Sequence, residues 1–309
     1  MFRMYFAVPD KYREATLPEL REMVLEARRR YGKSMTILAH HYQRLEITEV
    51  ADFIGDSYEL SRVASERKQS EHIVFCGVHF MAESADILSA DYQKVYLPNP
   101  LAGCPMADMA DIDDVLGAWQ RLTDIGVAPR ALPLSYMNSA AELKAFCGRQ
   151  GGLICTSSNA RAAYEYIYAR ADKLFFFPDE NLGYNVGRKM GIPDDQIVVW
   201  DFRVDNGGID PDRLRNARLI LWKGHCHVHT NFRPEHVDEV RSRYPGVKVV
   251  VHPECVWGVV DKADAVGSTK FIVNYIDEQP PGSIIAVGTE INLINRMAHN
   301  HPDKTIFEL

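Results

Sequence analysis

The sequence predicts an α/β fold in which one strand–helix plan occurs three times. Three observations carry this. Short apolar runs such as Met35-Thr-Ile-Leu-Ala, Ala131-Leu-Pro-Leu and Val249-Val-Val alternate with helical stretches, the pattern of buried parallel strands joined by helices. Each run stops at a polar end: His40-His41-Tyr42-Gln43, Tyr136-Met-Asn138-Ser139 and His252-Pro-Glu254-Cys255. A Ser/Thr turn then follows at similar distance, 17 residues from His40 to Ser57, 21 from Tyr136 to Ser157 and 17 from His252 to Thr269.

The chain opens with an amphipathic helix over residues 16–31. The first unit continues with the strand from Met35, a helix from about Thr48, the turn Ala51–Ser57 and a helix to about Glu66. The strand 72–77, a helix opened by Phe80-Met-Ala-Glu83 and the strand 94–97 complete it before Cys104. In the second unit, the strand at 131, a helix through Leu143, the turn 151–157 and the strand 174–177 keep this order, and the strand 219–222 leads to Cys226. Residues 191–216 are an addition, read as a surface excursion. The third unit runs from Lys248 through Ala263-Asp-Ala-Val-Gly267, which repeats Ala51-Asp-Phe-Ile-Gly55, to strands at 284–287 and 304–309. The expected domains are 1–108, 109–226 and 227–309. Ligands of parallel sheets bind beyond the carboxyl ends of the strands, so three such ends facing one axis would enclose a single site.

Apolar residues make up 46% of the 309 and charged residues 25%, the balance of a globular protein. A net charge of -7 offers no basic footprint for nucleic acid, and no stretch reads as a membrane span. Residues 1–30 lack the basic-then-apolar plan of a secretory signal, so a cytoplasmic setting with reduced or metal-bound thiols is expected.

Six cysteines contain no C-x-x-C pair, so context has to separate them. Cys104 and Cys226 follow glycine-containing turns after the last strands of the first two units and are the candidate metal ligands. Cys76, Cys147 and Cys155 sit in or beside apolar runs and read as small buried hydrophobes. Ser57, Ser157, Ser268 and Thr269 stand in turns before helices, where hydroxyls and free backbone N–H groups suit carboxylates and phosphate; capping a helix is the alternative role for each. His40, His229 and His252 are candidate acids, bases or carboxylate binders.

Ile37-Leu-Ala-His40-His41-Tyr42-Gln43, Phe80-Met-Ala-Glu83, Ala102-Gly-Cys104-Pro-Met-Ala-Asp108, Thr156-Ser-Ser-Asn-Ala160, Pro178-Asp-Glu-Asn181, Gly224-His-Cys226-His-Val-His229 and His252-Pro-Glu-Cys255 resemble the quinolinate synthase family, from about residue 35 to 309. The resemblance implies three similar three-layer αβα domains with short parallel sheets, in pseudo-threefold arrangement around one central site. It also implies a 4Fe-4S cluster held by one cysteine per domain, with its fourth iron open to substrate as a Lewis acid. The implied reaction is a transferase reaction of NAD biosynthesis. It condenses iminoaspartate, supplied by an aspartate oxidase or dehydrogenase, with dihydroxyacetone phosphate, giving quinolinate, phosphate and water. Functional residues of the family fall on His40, Tyr42, Tyr136, Asn138, His229, His252 and Glu254, of which Tyr42 and Glu254 are the candidates for proton transfer. Glu83, Asn181 and Glu290 are expected to support this shell.

Cys255 abuts a site turn but matches no family ligand, and the interval from Thr36 to Cys104, applied from Lys248, ends beyond Leu309. The expectation is therefore that a third cluster cysteine lies past the C-terminus of a shortened chain, and that this form holds a cluster weakly or not at all and is nearly inactive. Two rival readings are a related iron–sulfur enzyme of the diphthamide-synthesis type and a cluster-free, non-catalytic homologue. The turns Ser157-Ser158-Asn159 and Gly267-Ser268-Thr269 weigh against the first; the second would show no iron.

Overall fold

The structure is a computed structural model that describes residues 8–309. Thirteen strands form three all-parallel sheets among the described residues. The first contains β1 (Met35–His40), β2 (Phe53–Gly55), β3 (His72–Cys76) and β4 (Lys94–Tyr96), in the order β2-β1-β3-β4. The second contains β5 (Ala131–Tyr136), β6 (Leu153–Cys155), β7 (Lys173–Phe177), β8 (Ile197–Trp200) and β9 (Leu219–Trp222), in the order β6-β5-β7-β9-β8. The third contains β10 (Lys248–Val251), β11 (Ala265–Val266), β12 (Ile284–Gly288) and β13 (Thr305–Glu308), in the order β11-β10-β12-β13. Without β8 the three orders are the same.

Both faces of these sheets are covered, which is why the strands read as continuous apolar runs. In the second sheet Phe175, Phe177, Ile220 and Trp222 pack into one core, while Leu174, Phe176, Leu219 and Leu221 pack into another on the opposite face. The third sheet divides in the same way, with Val249 and Val251 on one side and Val250, Ile285 and Val287 on the other.

The Ala-Asp-x-x-Gly repeat has a structural cause. Asp52 donates its N–H to the Ile37 carbonyl (2.8 Å), and its carboxylate accepts the Ile37 N–H (2.8 Å). Asp264 does the same with Val249, at 2.9 and 2.7 Å. Each Asp thereby sets the register of a short edge strand against the first strand of its sheet. In the second sheet the corresponding strand residue is Pro133, which has no N–H to offer. Gly152 stands where the Asp would be, and a Cβ there would lie 2.0 Å from the Pro133 carbonyl oxygen.

Three sequence expectations need correction. Residues 191–216 are not a surface excursion, because Ile197-Val-Val-Trp200 pairs with β9 as an edge strand whose Ile197, Val198 and Trp200 are buried. The helix expected from about Thr48 instead ends there, spanning Leu45–Thr48. The Ser/Thr turns are preceded by β2, β6 and β11, strands of only two or three residues. The remaining long strands lie where the apolar runs place them. The opening helix, Leu17–Tyr31, starts at a capping box in which the Thr16 N–H donates to Glu19 (2.7 Å).

Candidate functional site

The first strands of the three sheets, β1, β5 and β10, end against one cavity of ≈ 200 Å³. The first contributes His40 and Tyr42, the second Tyr136 and Asn138, the third His252 and Glu254. Segments after the last strands of the first two sheets add Cys104, Cys226 and His229, the starts of helices add Ser57 and Thr269, and the turn before helix Ala160–Tyr168 adds Ser157. Thus twelve of the thirteen residues expected from the sequence line one cavity. Ser268 does not line it. Its hydroxyl oxygen caps helix Thr269–Glu278 by accepting the Phe271 N–H (3.3 Å), so its O–H remains available. Ser57 opens helix Ser57–Glu66, but the cap is Asp56, which accepts from the Glu59 N–H.

A hydrogen-bonded chain crosses the cavity wall. Tyr136 O–H donates to Glu254 Oε1 (2.7 Å), and His229 Nδ1 lies 2.9 Å from Glu254 Oε2. His229 Nε2 is 3.2 Å from the Thr289 hydroxyl, which is 3.0 Å from the Tyr42 hydroxyl. Tyr42 also meets the Thr269 hydroxyl at 3.1 Å. An ionised carboxylate only accepts, so His229 carries a proton on Nδ1; in the neutral ring, Nε2 then accepts from Thr289. His252 stacks on His229 with ring centroids 4.5 Å apart.

Burial sets the charges here. It presses the Glu254 carboxyl upward, but the imidazoles of His252 and His229 and the bonds from His229 and Tyr136 outweigh it and hold Glu254 down, to about 2. Burial pushes His252 down to about 3, and burial with the nearby Arg296 guanidinium pushes His40 down to about 4. Tyr42 and Tyr136 are pushed up by burial and by the Glu254 charge. Cys104 is raised by burial to about 11, and burial and Glu254 raise Cys226 as well, so a bound metal would have to displace both thiol protons.

The donor set suits a soft metal centre. Two thiols from corresponding places in two sheets meet at one cavity, and ligand atoms of Cys226, His229 and Glu254 lie within 4.8 Å of one another. Cys76, Cys147, Cys155 and Cys255 are not on this cavity; Cys255 is fully buried and turns its Sγ to the Gly288 carbonyl (3.6 Å).

The family model of the quinolinate synthetase A protein matches residues 22–309. This chain belongs to the quinolinate synthase family. Its sequence is 52% identical over 295 residues to the quinolinate synthase of Acidobacterium capsulatum, covering 95% of this chain and 77% of that one. It is 49% identical over 300 residues to the quinolinate synthase of Corynebacterium glutamicum (97% and 76%) and 46% identical over 302 residues to that of a Geobacillus species (98% and 82%). Quinolinate synthases act on small molecules in NAD biosynthesis. Among the described residues, no helix is long and apolar enough to cross a membrane.

Two residues that shape this candidate site were given no role by sequence reasoning. Thr289, fully buried, joins Tyr42 to His229, while its neighbour Glu290, expected in the supporting shell, caps helix Ile291–Asn300. The available signal was its place after the end of β12, within Gly288-Thr-Glu290. Asp179, also fully buried, accepts the backbone N–H groups of Leu182 (2.7 Å) and Cys226 (3.1 Å) and so ties the cysteine loop to the end of β7. Glu83 accepts the Ala141 N–H (3.0 Å) and braces the first sheet's helix against the second sheet's.

Proposed function

We propose that this chain is a cytoplasmic transferase that condenses iminoaspartate, supplied by an aspartate oxidase or dehydrogenase, with dihydroxyacetone phosphate to give quinolinate, phosphate and water. The units 1–108, 109–226 and 227–309 would each contribute one wall of the site. The observation that supports this reading is the hydrogen-bonded chain Tyr42–Thr289–His229–Glu254–Tyr136, whose Tyr42, His229, Glu254 and Tyr136 line the same cavity as Cys104 and Cys226.

A 4Fe-4S cluster held by Cys104 and Cys226 would supply an open iron that acts as a Lewis acid toward a substrate oxygen. The protein's own groups supply the rest. Enolisation and dehydration require a carbon-bound proton to be taken and a hydroxide to leave with help. Tyr42 is the group at the cavity: its oxygen takes the carbon-bound proton as its own proton passes to Thr289 and the Thr289 hydroxyl proton passes to His229 Nε2. Glu254, held ionised, keeps Nδ1 protonated and stabilises the imidazolium that results. Tyr136 fixes the other oxygen of that carboxylate. Ser57 and Thr269 at helix starts and Ser157 in the turn before one hold the carboxylates and phosphate, Ser268 serving them through the helix start it caps; His40, His252 and Asn138 complete the binding wall.

The test is anaerobic reconstitution with iron and sulfide, then mass-spectrometric detection of quinolinate from dihydroxyacetone phosphate and iminoaspartate generated by an aspartate oxidase. Product formed by the wild type in proportion to the cluster it retains, and lost together with visible cluster absorbance in Cys104→Ser and Cys226→Ser, is the expected result. An iron-loaded chain that consumes neither substrate overturns the reading.

A further inference from the structure

Glu254 lies in the turn between β10 and helix Trp257–Lys262, yet the grip on that turn comes from another sheet. Asn185 belongs to helix Glu180–Lys189, which packs on the second sheet, and is only 1% exposed. Its Nδ2 donates to the carbonyl of Pro253 at 2.7 Å and to that of Cys255 at 2.7 Å. These are the carbonyls on either side of Glu254. The two protons of one planar amide are thus both committed, and the backbone of a single residue is bracketed between them.

The amide orientation follows from these bonds, because a flipped Asn185 would set its oxygen against two carbonyl oxygens. Its Oδ1 is buried without a hydrogen-bond partner. An apolar side chain would avoid that cost at a site chosen for packing alone, so the two donated bonds are what the position requires. The carboxylate of Glu254 is held by Tyr136, the last residue of β5, and by His229, in the segment between β9 and β10, so groups outside its own turn hold both its backbone and its two oxygens.

We infer that Asn185 is a positioning residue for Glu254, acting across the boundary between the second and third sheets. The inference rests on the proposed role of Glu254 in proton transfer. Without the bracket the turn shifts, and the Tyr136 and His229 bonds to the carboxylate lengthen. A misplacement of about 1 Å in such a constellation costs roughly 100-fold in rate.

The test uses the full chain in two measurements. In the first, the downfield proton resonance of the His229 Nδ1–H bonded to Glu254, assigned by its loss in His229→Gln, is followed in Asn185→Leu and Asn185→Ser. It shifts or broadens away in Asn185→Leu and moves part of the way in Asn185→Ser, which keeps one donor. In the second, kcat of the reconstituted enzyme falls roughly 100-fold in Asn185→Leu while KM changes by less than about threefold. A wild-type resonance with kcat within about twofold of wild type overturns the inference. If Asn185→Leu does not fold, Asn185→Ser decides by the same criteria. Wild-type turnover in Glu254→Gln, with the resonance still displaced in the Asn185 variants, would remove the role of Glu254 while leaving Asn185 as the group that places it.

Discussion

Arg296 reaches out of the third sheet's last helix to grip His41, which follows β1 of the first sheet. Nη1 donates to the His41 carbonyl at 2.9 Å, and Nη2 lies 2.8 Å from His41 Nδ1. Asn292, one turn earlier, donates to the Tyr42 carbonyl at 3.3 Å. Arg296 is buried, and among the described residues no carboxylate lies within ion-pairing distance of it. Its guanidinium is therefore a main-chain clamp on the turn that carries Tyr42.

Arg296→Met should lower the free energy of unfolding by about 2 kcal/mol, since it strands two buried acceptors. Arg296→Lys, with one donor kept, should cost about half as much. Urea denaturation compares them, and an unchanged midpoint in Arg296→Met would show that the clamp contributes nothing.

Glu254→Gln and Tyr42→Phe should each keep the fold and lower turnover by roughly 100-fold or more, the scale of a lost proton-transfer group. The amide of Gln at 254 cannot accept from both Tyr136 and His229 as the carboxylate does. Steady-state rates with both substrates saturating check this; wild-type turnover in both variants would reduce the pair to packing.

Acid should destabilise the protein earlier than carboxylate titration alone would. His40, His41 and His252 have folded values of about 4, 3 and 3, all depressed from 6.5 chiefly by burial. Between those values and 6.5 only the unfolded chain takes up these protons, so the stability present above pH 6.5 is lost as pH falls towards 4 and 3. Glu254, depressed from 4.5 to about 2, adds a second loss between those two values. The melting temperature should be level from about pH 7 to 8 and fall steeply below 6.5. His252→Gln should reduce the slope by about one proton; an unaltered slope would mean that His252 protonates in the folded state.

Gly224→Ala should be costly although the change is one methyl group. A Cβ at 224 would stand 2.3 Å from the Pro178 carbonyl oxygen, where Gly224 also bridges to Asp179 and accepts the Glu180 N–H at 2.8 Å. We expect a loss of about 2–4 kcal/mol and poorer iron retention at Cys226, two residues on. Gly117→Ala, where a Cβ meets nothing within 4 Å in helix Ile112–Asp124, should instead stabilise by about 0.5–1 kcal/mol. Calorimetry on the pair separates the steric effect from the loss of a glycine.

The threefold plan was legible because long strands buried on both faces leave an apolar record, as Val249-Val-Val and Leu174-Phe-Phe-Phe do. β2, β6 and β11 left none, since two or three residues carry no periodicity; the Asp-x-x-Gly echo marked the place of β2 and β11 only. β8 looked like an insertion because its value lies in a partner, β9, that sequence order does not show. At the site, residues that touch the cavity were found through their motifs, whereas Thr289, Asp179 and Asn185 act through hydrogen bonds to other residues 60, 47 and 68–70 positions away. A polar residue buried for the sake of a distant partner looks, in sequence, like any other polar residue.

The chain of bonds from Tyr42 to Tyr136 has a kinetic consequence. Its links Tyr42–Thr289 and Tyr136–Glu254 close loops of 247 and 118 residues, whereas each sheet's core is assembled from much nearer segments. Bringing such remote groups together carries an entropy cost that is offset only once all three sheets have docked. The pocket should therefore be the last part of the molecule to take shape during folding. By the same reasoning it should be the first to come apart under mild stress, with loss of function preceding loss of secondary structure and returning without refolding of the cores.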